Sequence, residues 1–492
     1  MKKIIIAAAA VVALVGAAAA AVPIVESHAA GGIKTEIERD GATKVGSVEV
    51  GLFERRITLR DLRSTGGAEL TIGRWEASGL AWPLGELLRG RTPLAGFRWG
   101  DPLQAEHIEL KDVRLVDSEA GSGWSMGSLV MDGFDLARFD ATYQGRYQFH
   151  TLIARAAGAL NVRHLEEHNV AFSLPGTSDT FGAASIIVDR YEHGRIASIT
   201  ASSFEATAKD GQAPLFKIGD IRAARVDLAR VIAALSSQNW QPGAPSGRLH
   251  LDSASASGFG GDMLTRYGIS LGSVSLETAH EGDKISRSRT RVEGFVLAPP
   301  LRGLEGLQMR IALQSMGLKE VKLDLDCSGT EDRVKAEVVL DRCALSGPNL
   351  GQIDLSAKMI HADQAYWRLV DDGDVAAFFE SKAALESARL VLADKSLLER
   401  WLKALSTMTG KPVSETRANL AREIRRYQPP GVLISQDMTQ VLDTVARFVE
   451  QGGTLTIEAK PDPPVDFERF GSLTKPGADL VSVLGLSATL SR

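Results

Sequence analysis

The chain lacks the features that mark most enzymes and nucleic-acid-binding proteins. Only two of its 492 residues are cysteines, and aromatic residues make up 6% of the sequence. The net charge of −5 provides no basic field, which argues against nucleic acid as a partner. The sequence also contains no P-loop, dinucleotide fingerprint or zinc-ribbon spacing, and we expect no cofactor.

The N-terminus has the pattern of a secretory signal sequence. Lys2 and Lys3 precede an uncharged apolar run from Ile4 to Val25, which is long enough to span a bilayer core of roughly 30 Å. Ser27-His28-Ala29 also offers small residues for a signal peptidase. We therefore expect residues 4–25 to anchor a periplasmic protein in the inner membrane. The alternative is a secreted protein that is cleaved near Ala29.

Most of the remaining sequence alternates between apolar and polar residues, as in "EHIELKDVRLVD" and "GQIDLSAKM". Alternation of period two predicts strands with one buried and one wet face, as in an antiparallel sheet. A four-residue unit of apolar, glycine, polar and apolar residues recurs, and its copies begin at Val45, Ile72, Met126, Ile218, Leu271 and Leu350. The recurrence predicts related supersecondary units, with each glycine at a bend or bulge.

One copy of this unit overlaps a match to the G-x-S-x-G pattern of serine hydrolases, at Gly123-Trp124-Ser125-Met126-Gly127. A nucleophile elbow requires a helix directly after the serine. The following residues, Ser128-Leu129-Val130-Met131, favour a strand instead. We therefore interpret Ser125 as a strand residue and expect no nucleophile here.

A second motif is His164-Leu165-Glu166-Glu167-His168, which matches the H-x-x-E-H pattern of zinc proteases. That chemistry needs His164 and His168 on one helical face with Glu167 between them. Alternation from Val170 onward predicts a strand, and the preceding helix is expected to stop near Asn161. The three residues are therefore weak candidates for a metal site.

Cys327 and Cys343 would lie in an oxidising compartment, where a disulfide is possible. A hairpin turn at Gly329–Asp332 would pair Cys327 with a residue near Val334. Cys343 would then lie too far along its strand to be bridged. A disulfide would require a bulge or another register, so we do not expect it from this pattern.

Residues 385–492 differ from the rest of the chain. A strand at "ALESARLVLAD" precedes three amphipathic stretches that end at Gly410, at Pro429 and at Gly452, with Ser414 and Ser435 as expected N-caps of the second and third. A strand at "GTLTIEAKP" follows. The second helix has a basic face that we expect to be solvated, formed by Arg417, Arg422, Arg425 and Arg426.

The apolar N-terminal run, the alternating strands and the units "IGRWEASGLAW" and "IGDIRAARVDL" together resemble bacterial AsmA-like envelope proteins. The resemblance covers the anchor and residues 45–300. It implies an elongated, curved sheet whose apolar groove is associated with phospholipid transport or outer-membrane homeostasis. It also implies which alternating residues would line the groove: Val48, Val50, Leu52, Ile57 and Leu59.

We predict a mainly β protein (α+β overall) with a repeated antiparallel sheet and a C-terminal module of three helices and strands. Its expected segments are 1–29, a β-rich repeat region at 30–300, a β-meander at 301–384 and the module at 385–492. The expected function is non-enzymatic binding or transfer of phospholipid along an apolar sheet face. One alternative is a periplasmic scaffold that binds an envelope protein through its C-terminal helices. A zinc hydrolase at His164 and His168 is the remote alternative.

Overall fold

The computed structural model describes most of the chain after residue 21. The described residues are 22–65, 69–81, 100–117, 122–142, 148–173, 179–208, 214–237, 250–282, 284–300, 306–374, 377, 380–428, 434–466 and 480–491. Most of the predicted anchor at residues 4–25 lies outside them.

The chain forms two compact units. The first comprises residues 1–214 and 220–250, and the second comprises residues 215–219 and 251–492. The expected segment boundaries at residues 300 and 384 both fall inside the second unit. The strands of each unit pair antiparallel, which confirms the predicted mainly β class.

The described part of the first unit starts with a helix and continues as strands with short helices between them, and residues 215–219 of its last strand are counted with the second unit. Its elements are α1 (22–37), a 3-10 turn (Glu38–Asp40), β1 (Thr43–Lys44), β2 (Ser47–Gly51), β3 (Arg56–Ser64), β4 (Glu69–Ser78), β5 (Leu103–Asp117), β6 (Ser122–Leu136), α2 (Gln148–Ala159), β7 (Leu160–Ser173), β8 (Thr180–Glu192), β9 (Arg195–Thr207), β10 (Pro214–Asp227) and α3 (Ala229–Leu235). Strands β2 to β9 pair consecutively.

The recurring glycine unit has a common structural cause in this sheet. Gly73 in β4 faces Asp112 in β5, and a Cβ on Gly73 would lie 3.1 Å from the Asp112 Cβ. Asp112 has a φ of +54°, in the left-handed region that Asp and Asn tolerate best among residues with side chains. Gly127 faces Asn169, also at +54°, in the same way. The glycine thus leaves room for a left-handed residue on the next strand.

This pairing also explains the spacing of three between the apolar residues of the unit. Leu110 and Val113, on either side of Asp112, pack into one apolar cluster, as do Met126 and Leu129 on either side of Gly127. On each strand, the alternation between apolar and polar residues therefore shifts by one residue at this point. Because both strands shift together, their apolar side chains stay on one face of the sheet. Ser125 lies inside strand β6, so the strand interpretation of that serine is confirmed.

The second unit begins with strands and ends in the helical module. Its elements are β11 (Ser253–Ser257), α4 (Asp262–Tyr267), β12 (Ile269–Ser270), β13 (Ser273–Glu281), β14 (Ile285–Leu297), α5 (Leu307–Ser315), β15 (Val321–Asp332), β16 (Glu337–Gly347), β17 (Gly351–Ile360), α6 (Gln364–Asp372), β18 (Ala384–Asp394), α7 (Leu397–Thr409), α8 (Val413–Arg425), α9 (Gln436–Gln451), β19 (Thr454–Ala459), β20 (Val465–Asp466), α10 (Leu480–Leu484) and β21 (Leu486–Ser491).

The three predicted C-terminal helices are confirmed as α7, α8 and α9. Gly410 ends α7 in the left-handed conformation. The Ser435 hydroxyl caps α9 by accepting a hydrogen bond from the Met438 N–H at 3.2 Å. The expected cap at Ser414 is wrong, because α8 already begins at Val413 after Pro412.

The two cysteines form a disulfide, which corrects the expected hairpin. The turn occupies residues 333–336 rather than 329–332, so Cys327 in β15 lies directly opposite Cys343 in β16. A one-residue bulge beyond Ser328 adjusts the register between the turn and the cysteines. The Asp332 carboxylate fixes this turn by accepting hydrogen bonds from the N–H groups of Val334 and Lys335.

A substitution in β6 tests the role of the glycine row. Gly127→Val should lower the free energy of unfolding by about 1–3 kcal/mol, because its side chain must displace Asn169. Gly123→Val on the same strand is the control, since its added Cβ approaches no atom closer than 3.4 Å. Urea unfolding measures both. Equal effects of the two substitutions would contradict this explanation.

Candidate functional site

Helix α1 covers the residues expected to line a groove. Val50, Leu52, Ile57 and Leu59 are buried, with Ile57 fully inaccessible, and Val48 packs against them. The helix contributes its own apolar stripe to this core: Val22, Val25, Ala29, Ala30, Ile33 and Ile37. These five residues therefore form a filled core instead of an open groove. A filled core and a groove produce the same alternation in sequence.

The H-x-x-E-H residues lie in a strand, β7, which follows helix α2 directly. Side chains alternate along a strand, so His164 and His168 share one face and Glu167 lies on the other. Glu166, not Glu167, lies between the histidines, with its carboxylate 3.0 Å from His168 Nε2 and 3.8 Å from His164 Nε2. The weak metal set His164, Glu167 and His168 is therefore not brought together. In the described part of the chain, no three acidic, histidine or cysteine side chains are placed to hold a metal ion.

His164 belongs instead to a polar ladder across the first unit. His107 Nδ1 lies 2.8 Å from an Asp132 carboxylate oxygen, and His164 Nδ1 lies 2.7 Å from an Asp189 oxygen. Ser198 donates a hydrogen bond to the other Asp189 oxygen. These residues occupy paired positions on consecutive strands β5 to β9. The ladder is half-exposed, and it stabilises the polar face of the sheet.

A largely apolar cavity of about 360 Å³ lies in the second unit. Its floor is the sheet face of β15 to β18 and its roof is formed by helices α7 and α9. Nearly all of the lining is apolar: Leu323, Leu345, Leu350, Ile353, Leu392, Ala393, Leu397, Leu398, Trp401 and Phe448, with Gly347, Gly351, Gln352 and Asp394. The volume lies within the range of about 300–1,000 Å³ that is typical of small-molecule sites.

Strand register explains why the floor is apolar. Leu345, Ile353 and Leu392 occupy directly paired positions on β16, β17 and β18. The adjacent row consists of the Cys327–Cys343 disulfide, Leu355 and Leu390. Because paired positions share a face of the sheet, the disulfide lies on the apolar face and braces two strands of the cavity floor.

The cavity opens onto an exposed apolar surface. Ile353 and Leu355 are 37% and 40% exposed, whereas Leu455, farther along the sheet, is almost fully buried. On the roof, Trp401 is 41% exposed. A bulky apolar chain could therefore enter between α7 and the strands without unfolding either.

The polar groups at the cavity are already engaged within the protein. Asp394 accepts a hydrogen bond from the Leu398 N–H and so caps α7. The Gln352 amide donates to Asp354, which also pairs with Arg342. The site therefore offers apolar contact rather than a reactive group. The sequence did not predict this cavity. The leucines of β15 to β18 and the apolar stripe of α7 are each recognisable in the sequence, but nothing in it indicates that they face one another.

The arginines of α8 are mostly engaged as well. Arg425 pairs with Asp443 and Glu450 of α9, which raises the pKa of its guanidinium. Arg417 pairs with Glu399 of α7 and donates to the Val449 carbonyl. These contacts bind the three helices together and hold the cavity roof in place.

Comparison with known proteins identifies one partial similarity. A family model described as an uncharacterized protein matches residues 344–491, which include most of the cavity lining. No curated protein matches the chain. Among the described residues, no helix combines the length and hydropathy needed to cross a bilayer.

The polar ladder has a testable pH dependence. The hydrogen bond with Asp189 raises the pKa of His164 above its ordinary 6.5 and lowers that of Asp189 below 3.8. The Asp189 contribution to stability is lost as the pH falls through its lowered pKa. The His164 contribution is fully present below 6.5 and is lost as the pH rises through its raised pKa.

Asp189→Asn should therefore move the His164 pKa down toward its ordinary value, as read by NMR titration with the signal assigned through His164→Gln. The stability lost in the variant should be largest between about pH 3.8 and 6.5 and smaller at alkaline pH. An unchanged His164 pKa would show that the pair does not form in solution.

Proposed function

We propose that this chain is a non-enzymatic bacterial envelope protein that binds an acyl chain of a phospholipid in the cavity of the second unit. The apolar cavity between the sheet and helices α7 and α9 carries the proposal. Burial of a methylene group contributes about 0.8 kcal/mol, so a chain placed there is stabilised without any polar contact. The headgroup would remain at the open side, near Ile353 and Trp401.

The envelope location is supported by two independent features of the chain. The N-terminal run after Lys2 and Lys3 has the form of a secretory address. The Cys327–Cys343 disulfide favours an oxidising compartment, because cytosolic thiols are kept reduced. The resemblance to AsmA-like proteins remains a prediction beside them.

We further propose that the N-terminal segment is retained as an anchor. Ala29 and Ile33 of α1 are fully buried against the sheet, and the Glu26 carboxylate accepts a hydrogen bond from the Leu52 N–H at 3.0 Å. Cleavage before Ala30 would remove Val25, Glu26 and Ala29 from this core. The folded unit thus favours an intact α1.

The alternative function is a scaffold that binds an envelope protein through the C-terminal helices. Exposed apolar residues on α7 favour it, since Met408 is 79% exposed and Trp401 is 41% exposed. Phe448, by contrast, lines the cavity and is not available as an outward anchor. In the lipid proposal the ligand contacts the side of α7 that faces the cavity, so the proposal also accounts for the cavity.

Site-specific photocrosslinking in cells tests the proposed ligand. A benzophenone amino acid in place of Ile353, on the cavity floor, should form adducts with phospholipid when the full chain is irradiated. The same probe in place of Ser356 is the matched control, because Ser356 lies on the same strand but on the opposite face. Protein adducts at Ile353 without lipid would favour the scaffold alternative.

Mass analysis of the intact protein tests the anchor. The chain extracted from membranes should retain residues 22–29, and Ala29→Asp should lower its thermal stability by burying a charge in the core. A stable, folded protein that begins at Ala30 would contradict a retained anchor.

A further inference from the structure

An acidic side chain interrupts the apolar face of the sheet in the first unit. Glu167 in β7 pairs with Leu129 in β6 on one side and with Ile186 in β8 on the other. The row across the sheet is otherwise apolar: Val48, Leu59, Trp75, Leu110, Leu129, Ile186 and Ala201. A carboxylate therefore lies in the middle of an apolar strip.

Glu167 occupies a position that other strands of the first unit give to an apolar residue. Leu59 lies two residues before the left-handed Asp61, and Leu110 lies two residues before the left-handed Asp112. Glu167 has the same spacing from the left-handed Asn169. Strand β7 therefore has the backbone conformation of the repeat, but it carries a glutamate where the other strands carry an apolar residue.

The Glu167 carboxylate is half-buried among apolar neighbours. No described residue donates a hydrogen bond to it or forms an ion pair with it, whereas its neighbour Glu166 contacts two histidines on the opposite face. Burial among apolar neighbours raises the pKa of the Glu167 carboxyl. Partial burial disfavours the charged form of the carboxyl, and a cation or hydrogen-bond donor that reaches it offsets part of this cost.

The surface around Glu167 remains accessible to a ligand. The core that contains the apolar residues of α1 includes Met131 of β6 but not Leu129. The next apolar cluster, which includes Leu129 and Ile186, consists of strand side chains. Leu129, Leu165 and Ile186 are half-buried, as is Glu167. This strip thus combines apolar contact area with one negative charge.

We propose that Glu167 recognises the ammonium group of an amphiphile whose hydrocarbon part lies on the apolar face of β6 to β8. Charge complementarity selects this occupant, because an isolated carboxylate in an apolar strip matches a molecule that joins an apolar chain to a cation. A primary ammonium is the closest fit, since its three donors can reach both carboxylate oxygens. This inference rests on the proposed lipid-binding function and adds to it a second lipid-binding surface, in the first unit, with its own headgroup class.

Crosslinking in the full chain tests the inference, with the probe placed at Leu129 beside Glu167. The ratio of phosphatidylethanolamine to phosphatidylglycerol in the adducts is compared with the ratio in the surrounding membrane. We expect enrichment of phosphatidylethanolamine by roughly tenfold, the value of one charge-assisted hydrogen bond. Glu167→Gln should remove the enrichment, and Glu166→Gln should leave it unchanged, because that side chain lies on the other face.

The remaining outcomes overturn the inference in distinguishable ways. Adducts at Leu129 with the membrane ratio, or enrichment that survives both Glu167→Gln and Glu167→Leu, would contradict recognition by Glu167. Adducts at Ile353 without any at Leu129 would reject this site and leave the proposed function standing. The absence of lipid adducts at both positions would reject the inference and the proposed function together.

Discussion

The structure depends on keeping apolar side chains on one face of long antiparallel strands. Twisted strands do not maintain a strict alternation over their length, and the long strands of the first unit change phase at defined positions. A left-handed residue such as Asp112 and the glycine opposite it, Gly73, make the change together on neighbouring strands. Because both strands shift in step, the hydrogen-bonded register continues and the apolar face is not broken.

An apolar face must then be covered, and the chain does so in different ways along its length. Helix α1 fills the space over β2 to β5 in the first unit. Helices α7 and α9 cover the sheet of the second unit less tightly and leave the cavity above Ile353. The cover over this part of the sheet is incomplete, and the ion pairs of Arg425 join α8 to α9, one of the two helices of the cavity roof.

The sequence predicts the β class and the three C-terminal helices because periodicity and caps are local signals. It misplaces the turn before Cys343, because Gly329 has the composition of a turn residue whereas Asp332, by its hydrogen bonds, sets the turn four residues later. It also assigns Val50 and Ile57 to an open groove, since the covering helix has the composition of a signal segment. Glu167 is singled out for the wrong reason: the H-x-x-E-H pattern presupposes a helix, and in a strand the same residue faces the apolar side.

The central claim is that the cavity of the second unit holds an acyl chain. Native mass spectrometry of the purified full chain, released from detergent in the gas phase, measures this directly. We expect protein that carries about one phospholipid or more, with the lipid lost in Ile353→Arg while thermal stability is retained. Protein that carries no lipid in either form, and that melts cooperatively, would mean that the cavity is only a packing space, and it would contradict the account.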